Sequence, residues 1–210
     1  MSEQLQKVFI VDDDASFLRG VERLLRSNGY VTECFSSAGD FLARCPQGAT
    51  GCVLADLQMP DMDGLALQAA LAQSGNALPV VFLTGQGDIP SSVAAMRGGA
   101  EDFLVKTAPK EVVIAAIERA LARDARERDQ RARRHDQQSR FETLTPRERQ
   151  VLSHVMQGQM NKQIAAELGI DERSVKRHRT NLTRKLEVKS VAELVQLAVE
   201  LGFGTSDSVE

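Results

Sequence analysis

A chain of 210 residues is long enough for two domains, each with its own core. No apolar run approaches the roughly 20 residues that a membrane span needs, and the first residues hold no apolar signal segment, so a soluble, cytoplasmic protein with no membrane contact is expected. The net charge of −3 hides a division: residues 1–121 carry 15 acidic against 9 basic side chains, whereas residues 122–189 carry 17 basic against 10 acidic. A basic block in an acidic protein is an electrostatic footprint for a polyanion. Cys34, Cys45 and Cys52 show neither CxxC nor Cys/His spacing and read as reduced thiols. His135, His154 and His178 are too scattered to share a metal.

Residues 7–11 read as a first strand, and a helix from Ser16 to Ser27 follows with Phe17, Leu18, Val21, Leu24 and Leu25 at helical spacing. Tyr30 to Phe35 alternates as a strand, and Ala38 to Arg44 is a short helix. Residues 51–55 make a third strand, Leu65 to Ser74 a helix, and Pro79 to Leu83 a fourth strand. A helix from Ile89 to Arg97 stops at Gly98-Gly99, and Phe103 to Val105 is a fifth strand before a long helix opening near Pro109. Strands alternating with helices at this spacing mean an α/β fold with a doubly wound, five-stranded parallel sheet of flavodoxin-like order.

The long helix starts amphipathic, with Val113, Ile114, Ile117 and Leu121 on one stripe, but from Ala122 to Arg140 apolar residues nearly vanish. Asp124–Arg128, Glu127–Arg131 and Asp129–Arg133 are acid-before-base pairs at i,i+4, which predicts a solvated helix bridging two domains. Thr145-Pro146-Arg147-Glu148 is a helix start with a capping box. Helices follow at about 146–157, 161–168, 172–186 and 191–201, with Gly169 and Asp171 in the turn between the second and third, and a second capping box at Ser190 to Glu193. The expected division is 1–121, a helical linker 122–141, and a separate all-α four-helix domain 142–204.

The third strand delivers Asp56 into a loop marked by Pro60 and Gly64, and the first strand ends in Asp12-Asp13-Asp14. Open parallel sheets bind ligands at the C-terminal ends of their strands, so two strand ends bring at least three carboxylates together there. Like charges so close are costly unless a cation neutralises them or a pKa rises. Oxygen donors without His or Cys point to Mg²⁺, beside which a carboxylate can accept a phosphoryl group.

The pair Asp12-Asp13, Asp56 within Asp-Leu-Gln-Met-Pro-Asp-Met-Asp-Gly, Thr84 and Lys106, in that order, resemble the receiver domain of bacterial two-component response regulators. The C-terminal third, Thr145-Pro-Arg-Glu-Arg with Asn161-Lys162-Gln-Ile-Ala and Ser174-Val175-Lys176-Arg177-His178-Arg179, resembles the LuxR-type helix-turn-helix. The whole chain is similar to NarL/FixJ-type response regulators of the FixJ branch.

That resemblance implies Asp56 as phosphoacceptor, with Mg²⁺ held by Asp13 directly, Asp12 through water, Asp56 and the backbone carbonyl of Gln58. It implies that Lys106 and Thr84 bind the phosphoryl oxygens and that Phe103 is the aromatic switch position, reshaping the face made by the fourth helix, fifth strand and fifth helix. Gln58 and Gln86 flank the place of an attacking water. One departure stands out: the residue after the lysine is Thr107 where the family usually has proline, often after a cis peptide, so this loop is open to a trans bond. The helix at 172–186 becomes the recognition helix. Lys176, Arg177 and Thr180 face base edges, Asn161, Lys162, Ser174, Arg179 and Lys185 contact phosphates, and His178 serves either packing or backbone contact. Ile164, Ala165, Leu168, Ile170, Val175 and Leu182 are expected as core.

The expected function is a transcription factor, not an enzyme, phosphorylated by a partner histidine kinase, dimerising, binding two-fold related promoter DNA, and acting as an activator with RNA polymerase as a further partner. The alternatives are a DNA-binding regulator whose receiver ignores phosphorylation, and a Mg²⁺-dependent aspartyl phosphatase. The second would need an acid where Gln58 stands.

Overall fold

The structure, a computed structural model, describes residues 6–76, 78–85 and 89–203. The chain divides into two compact units, residues 1–129 and 130–210.

In the first unit, β1 (Lys7–Val11), β2 (Val31–Phe35), β3 (Cys52–Asp56), β4 (Val80–Thr84) and β5 (Asp102–Val105) form one sheet of order β2-β1-β3-β4-β5, with every pairing parallel. The helices are α1 (Ala15–Ser27), α2 (Ala38–Arg44), α3 (Gly64–Gln73), α4 (Ile89–Arg97) and the start of α5 (Lys110–Glu142). Apolar residues along β1, β3 and β4 are buried whichever way they point, and alternation sorts them into two layers. Phe9, Val53, Ala55 and Phe82 pack with Phe41, Leu67 and Leu71 of α2 and α3. Val8, Ile10, Leu54 and Val81 pack with Leu18, Val21 and Leu25 of α1 and with Val113 and Ile117 of α5.

Local chemistry sets the helix starts. Asp14 caps α1, its carboxylate accepting the N–H groups of Ser16 and Phe17, and Asp63 caps α3 by accepting from Ala66. Gly64 opens α3 where no side chain fits, because a Cβ would stand 2.5 Å from the Asp56 carbonyl oxygen. The loop after β3 can therefore fold back on its own strand, and the Gly64 N–H donates to Leu57 O at 2.9 Å.

The continuous helix α5 differs from the expected solvated bridge at one point. Asp124 is only 2% exposed, and its Oδ2 accepts from the Gly51 N–H at 3.0 Å and from Arg128 Nε at 3.0 Å. Gly51, at φ +127 and with a Cβ position 2.1 Å from Lys7 O, has room for no side chain, and its buried N–H needs an acceptor. Asp124 supplies it, which joins this turn of α5 to the first unit.

In the second unit, α6 (Pro146–Met156), α7 (Asn161–Leu168), α8 (Glu172–Lys185) and α9 (Val191–Glu200) pack with the end of α5. The Thr145–Glu148 capping box is formed, Asp171 caps α8 through Ser174 N–H, and Gly169 ends α7 in the left-handed region at φ +65. The second box is only half formed: Ser190 caps α9, but Glu193 turns to the N–H of Lys189. Ile164, Ala165, Val175 and Leu182 are buried with Leu152 and Leu194, while Leu168 and Ile170 are half-buried at the edge.

Candidate functional site

Strand register assembles the first site. Val11 pairs with Ala55, so Asp12 and Asp56 follow side by side; Asp56 pairs with Leu83 and Thr84 with Val105, so Thr84 and Lys106 complete the same edge. Asp12, Asp56 and Thr84 are buried, and Asp13 is exposed. One carboxylate oxygen from each of Asp12, Asp13 and Asp56 lies within 4.8 Å of the others.

Lys106 reaches into this group. Its Nζ donates to Asp56 Oδ2 at 2.7 Å and lies 2.6 Å from Asp12 Oδ2. Asp12 Oδ2 is buried and meets the Lys106 ammonium as a close ion pair. Asp12 Oδ1 accepts from Asp14 N–H at 2.9 Å and Asp56 Oδ1 from Gln58 N–H at 3.3 Å. Burial pushes the Asp12 carboxyl above its ordinary value despite Lys106. Burial alone would lower Lys106, but its hydrogen bonds and charge pairing with Asp12 and Asp56 raise it. One ammonium against three carboxylates leaves an excess of two negative charges. All-oxygen donors and this excess of negative charge fit a hard divalent cation.

No cis peptide occurs among the described residues, so Lys106–Thr107 is trans. Lys106 still enters the site because its backbone N–H donates to Thr84 O at 2.7 Å. Phe103 is half-buried, its ring 6.3 Å from that of Phe82. Gln86 lies outside the described residues. The sequence reading did not single out Ile89, Val93 and Met96, which expose apolar side chains along α4 beside an exposed Val105; Ile89 is 79% exposed. Their 4-then-3 spacing on a helix that buries only Ala95 was the available signal.

On α8, Val175 and Leu182 face the core. At about 100° per residue, Lys176, Arg177 and Thr180 fall on the opposite side, together with exposed Arg173 and Arg184, which the sequence reading left out. His178 and Arg179 fall between the two faces and are half-buried. Arg179 Nη1 donates to Asn161 Oδ1 at 2.8 Å, tying α8 to α7, and Ser174 Oγ bonds the capping Asp171 at 2.7 Å. Lys162 is exposed. Lys185, expected at a phosphate, is held inside the unit: its Nζ donates to Glu148 Oε2 at 2.7 Å and to Thr143 O at 3.1 Å. Burial opposes ionisation of Glu148, but Lys185 and the Thr145 N–H outweigh it and hold the carboxyl below its ordinary value. Among the described residues no helix is long and apolar enough to cross a membrane.

A parallel sheet with an acidic, lysine-bearing edge, joined to a helix-turn-helix with a basic outer face, defines a signal receiver coupled to a DNA-binding module. Residues 8–118 match the family described as response regulator receiver domain, and residues 142–198 match bacterial regulatory proteins of the luxR family. The response regulator protein TodT of Pseudomonas putida is 40% identical over 210 residues, covering 100% of this chain and 91% of TodT. The transcriptional regulatory protein FixJ of Rhizobium meliloti is 40% identical over 203 residues, covering 95% and 98%. Among solved structures, the response regulator StyR matches with TM-score 0.83 and 43% identity over 93% of this chain and 99% of StyR. Full-length FixJ from B. japonicum matches with TM-score 0.58 and 35% identity over 94% and 97%. The chain belongs to the NarL/FixJ-type two-component response regulators, transcriptional regulators with a receiver and a LuxR-type DNA-binding domain. That class implies a histidine kinase as partner and DNA as target, and receivers of this kind generally bind Mg²⁺ through acidic residues.

Proposed function

We propose that Asp56 is the phosphoryl acceptor of this regulator, and the observation that carries this reading is the buried pair Asp12 and Asp56 bridged by Lys106. An Asp56 oxygen attacks the phosphorus of a kinase phosphohistidine. The new O–P bond forms as the P–N bond breaks, and the electron pair leaves on the imidazole nitrogen. Asp12, Asp13, Asp56 and the Gln58 carbonyl would hold Mg²⁺, which when bound would supply charge neutralisation for the transferred group. Lys106 turns from the Asp56 carboxylate to the phosphoryl oxygens, and the Thr84 hydroxyl donates to them. Phe103 follows Thr84 inward and alters the α4–β5 face.

The exposed stripe of Ile89, Val93, Met96 and Val105 is the surface through which two phosphorylated receivers pair. Dimerisation places two α8 helices on a two-fold related promoter site and adds avidity. Lys176, Arg177 and Thr180 read base edges, while Asn161, Lys162, Ser174, His178 and Arg179 fix register on the backbone. Lys185 acts instead as an internal tie. The protein works in the cytoplasm as an activator that contacts RNA polymerase, and its only chemistry is to accept and slowly lose its own phosphoryl group.

Intact-protein mass spectrometry after incubation with Mg²⁺ and a small phosphodonor tests this. A phosphoryl-sized gain in wild type and none in Asp56→Asn is expected. Equal gain in both would overturn Asp56 as acceptor, and a receiver without any gain would favour regulation by another contact.

A further inference from the structure

We propose that Phe17 is a positioning residue for phosphoryl transfer, its ring face holding the Lys106 ammonium over the acidic pair. The inference rests on the reading of Asp56 as acceptor. Lys106 Nζ lies 4.4 Å from the centroid of the Phe17 ring, within the range of a cation–π contact. The Lys106 side chain is 19% exposed, so its charge is largely withdrawn from water and the contact is stronger than on an open surface. The ammonium thus meets Asp56 Oδ2, Asp12 Oδ2 and an aromatic face.

The ring is itself fixed from two sides. The Phe17 N–H donates to the capping Asp14 Oδ1 at 3.2 Å, which seats it in the first turn of α1, and its side chain packs against the core shared by α1 and α5. Asp14, the acid outside the family pattern, thereby serves the site through the helix it starts. Lysine ends a flexible four-carbon stem, and the loop after Lys106 is a trans segment through Thr107 and Ala108 to Pro109. A rigid ring is an effective restraint on such a stem.

The ring also differs in kind from the other two partners. Once an Asp56 oxygen bonds to phosphorus, that carboxylate no longer offers Lys106 a full charge, and a divalent cation competes for Asp12. The quadrupole of Phe17 is altered by neither event, so it keeps the ammonium near the acceptor while its anionic partners change.

The test uses the full chain, with Phe17 replaced by mono-, di- and trifluorinated phenylalanine, and with Phe17→Trp and Phe17→Leu alongside. Fluorine withdraws charge from the ring face with little change of shape. The rate of phosphoryl-sized mass gain is read with Mg²⁺ and phosphoramidate, and the melting temperature of each protein is measured beside it. Expected is a stepwise fall in rate with each added fluorine, about a five-fold loss in Phe17→Leu, and wild-type rate in Phe17→Trp. Melting temperatures should not follow the fluorine series. A flat series with uptake by wild type would overturn this inference alone, as would equal losses in Phe17→Leu and Phe17→Trp. No uptake by wild type would overturn the Asp56 reading and this inference together.

Discussion

At the strand ends of the first unit, the buried Asp12 and Asp56 are drawn into contact with a half-buried Lys106, whereas on α8 the cations Lys176 and Arg177 stand in solvent. The first arrangement leaves an uncompensated buried charge for a small ion or group to answer, and it depends on sub-ångström placement. The second leaves cations free to meet a long polyanion and depends on spacing along a helix. Burial makes charge selective, and exposure makes it responsive to salt.

The largest effects that can break this contrast come from ions. Mg²⁺ at about a hundred times its dissociation constant should stabilise the protein by about 2.7 kcal/mol in thermal unfolding, and Asp13→Ala should abolish most of that gain. An undiminished gain in Asp13→Ala would remove Asp13 from the site. On the other side, Arg177→Ala should weaken promoter binding about 5- to 150-fold in a titration, through loss of about 1–3 kcal/mol of base contact. Lys162→Ala should weaken all sequences alike and lower the slope of log affinity against log salt by about 1.

A smaller effect sharpens the comparison, because the second unit also holds one buried ion pair. Glu148 has its carboxyl held down by Lys185 and Thr145 against the cost of burial. A carboxyl lowered in the folded state contributes stability that is present above its ordinary value and lost as pH falls through the lowered one. Helical content of the second unit should therefore decline on the acid side below about pH 4.5, and Glu148→Gln should flatten that decline while lowering stability at neutral pH. An unchanged acid profile would show that the pair contributes nothing to it.

Sheet order was largely legible in the sequence from short apolar runs, helical spacing and their punctuation, and the acids at two strand ends stood out beside them; Thr84, Phe103 and Lys106 were legible only through resemblance to the receiver family. Element ends moved by a residue or so; Asp56 itself closes β3, paired with Leu83, where the strand was expected to stop at Ala55. What pattern could not supply were contacts remote in sequence. Asp124 reads as half of a surface i,i+4 pair, because nothing in helical periodicity tells of a Gly51 N–H 73 residues away. Lys185 reads as a phosphate contact for the same reason, its partner Glu148 lying in another helix. Phe17 reads as ordinary helix core, since its ring meets Lys106 only after the strands align.

The most direct measurement identifies the acceptor atom by atom. Wild-type protein treated with Mg²⁺ and phosphodonor is reduced with borohydride, which converts an aspartyl phosphate to homoserine, and its peptides are sequenced by tandem mass spectrometry. The account predicts homoserine at position 56 and at no other aspartate. Homoserine at 12, 13 or any other position, with Asp56 intact, would contradict it.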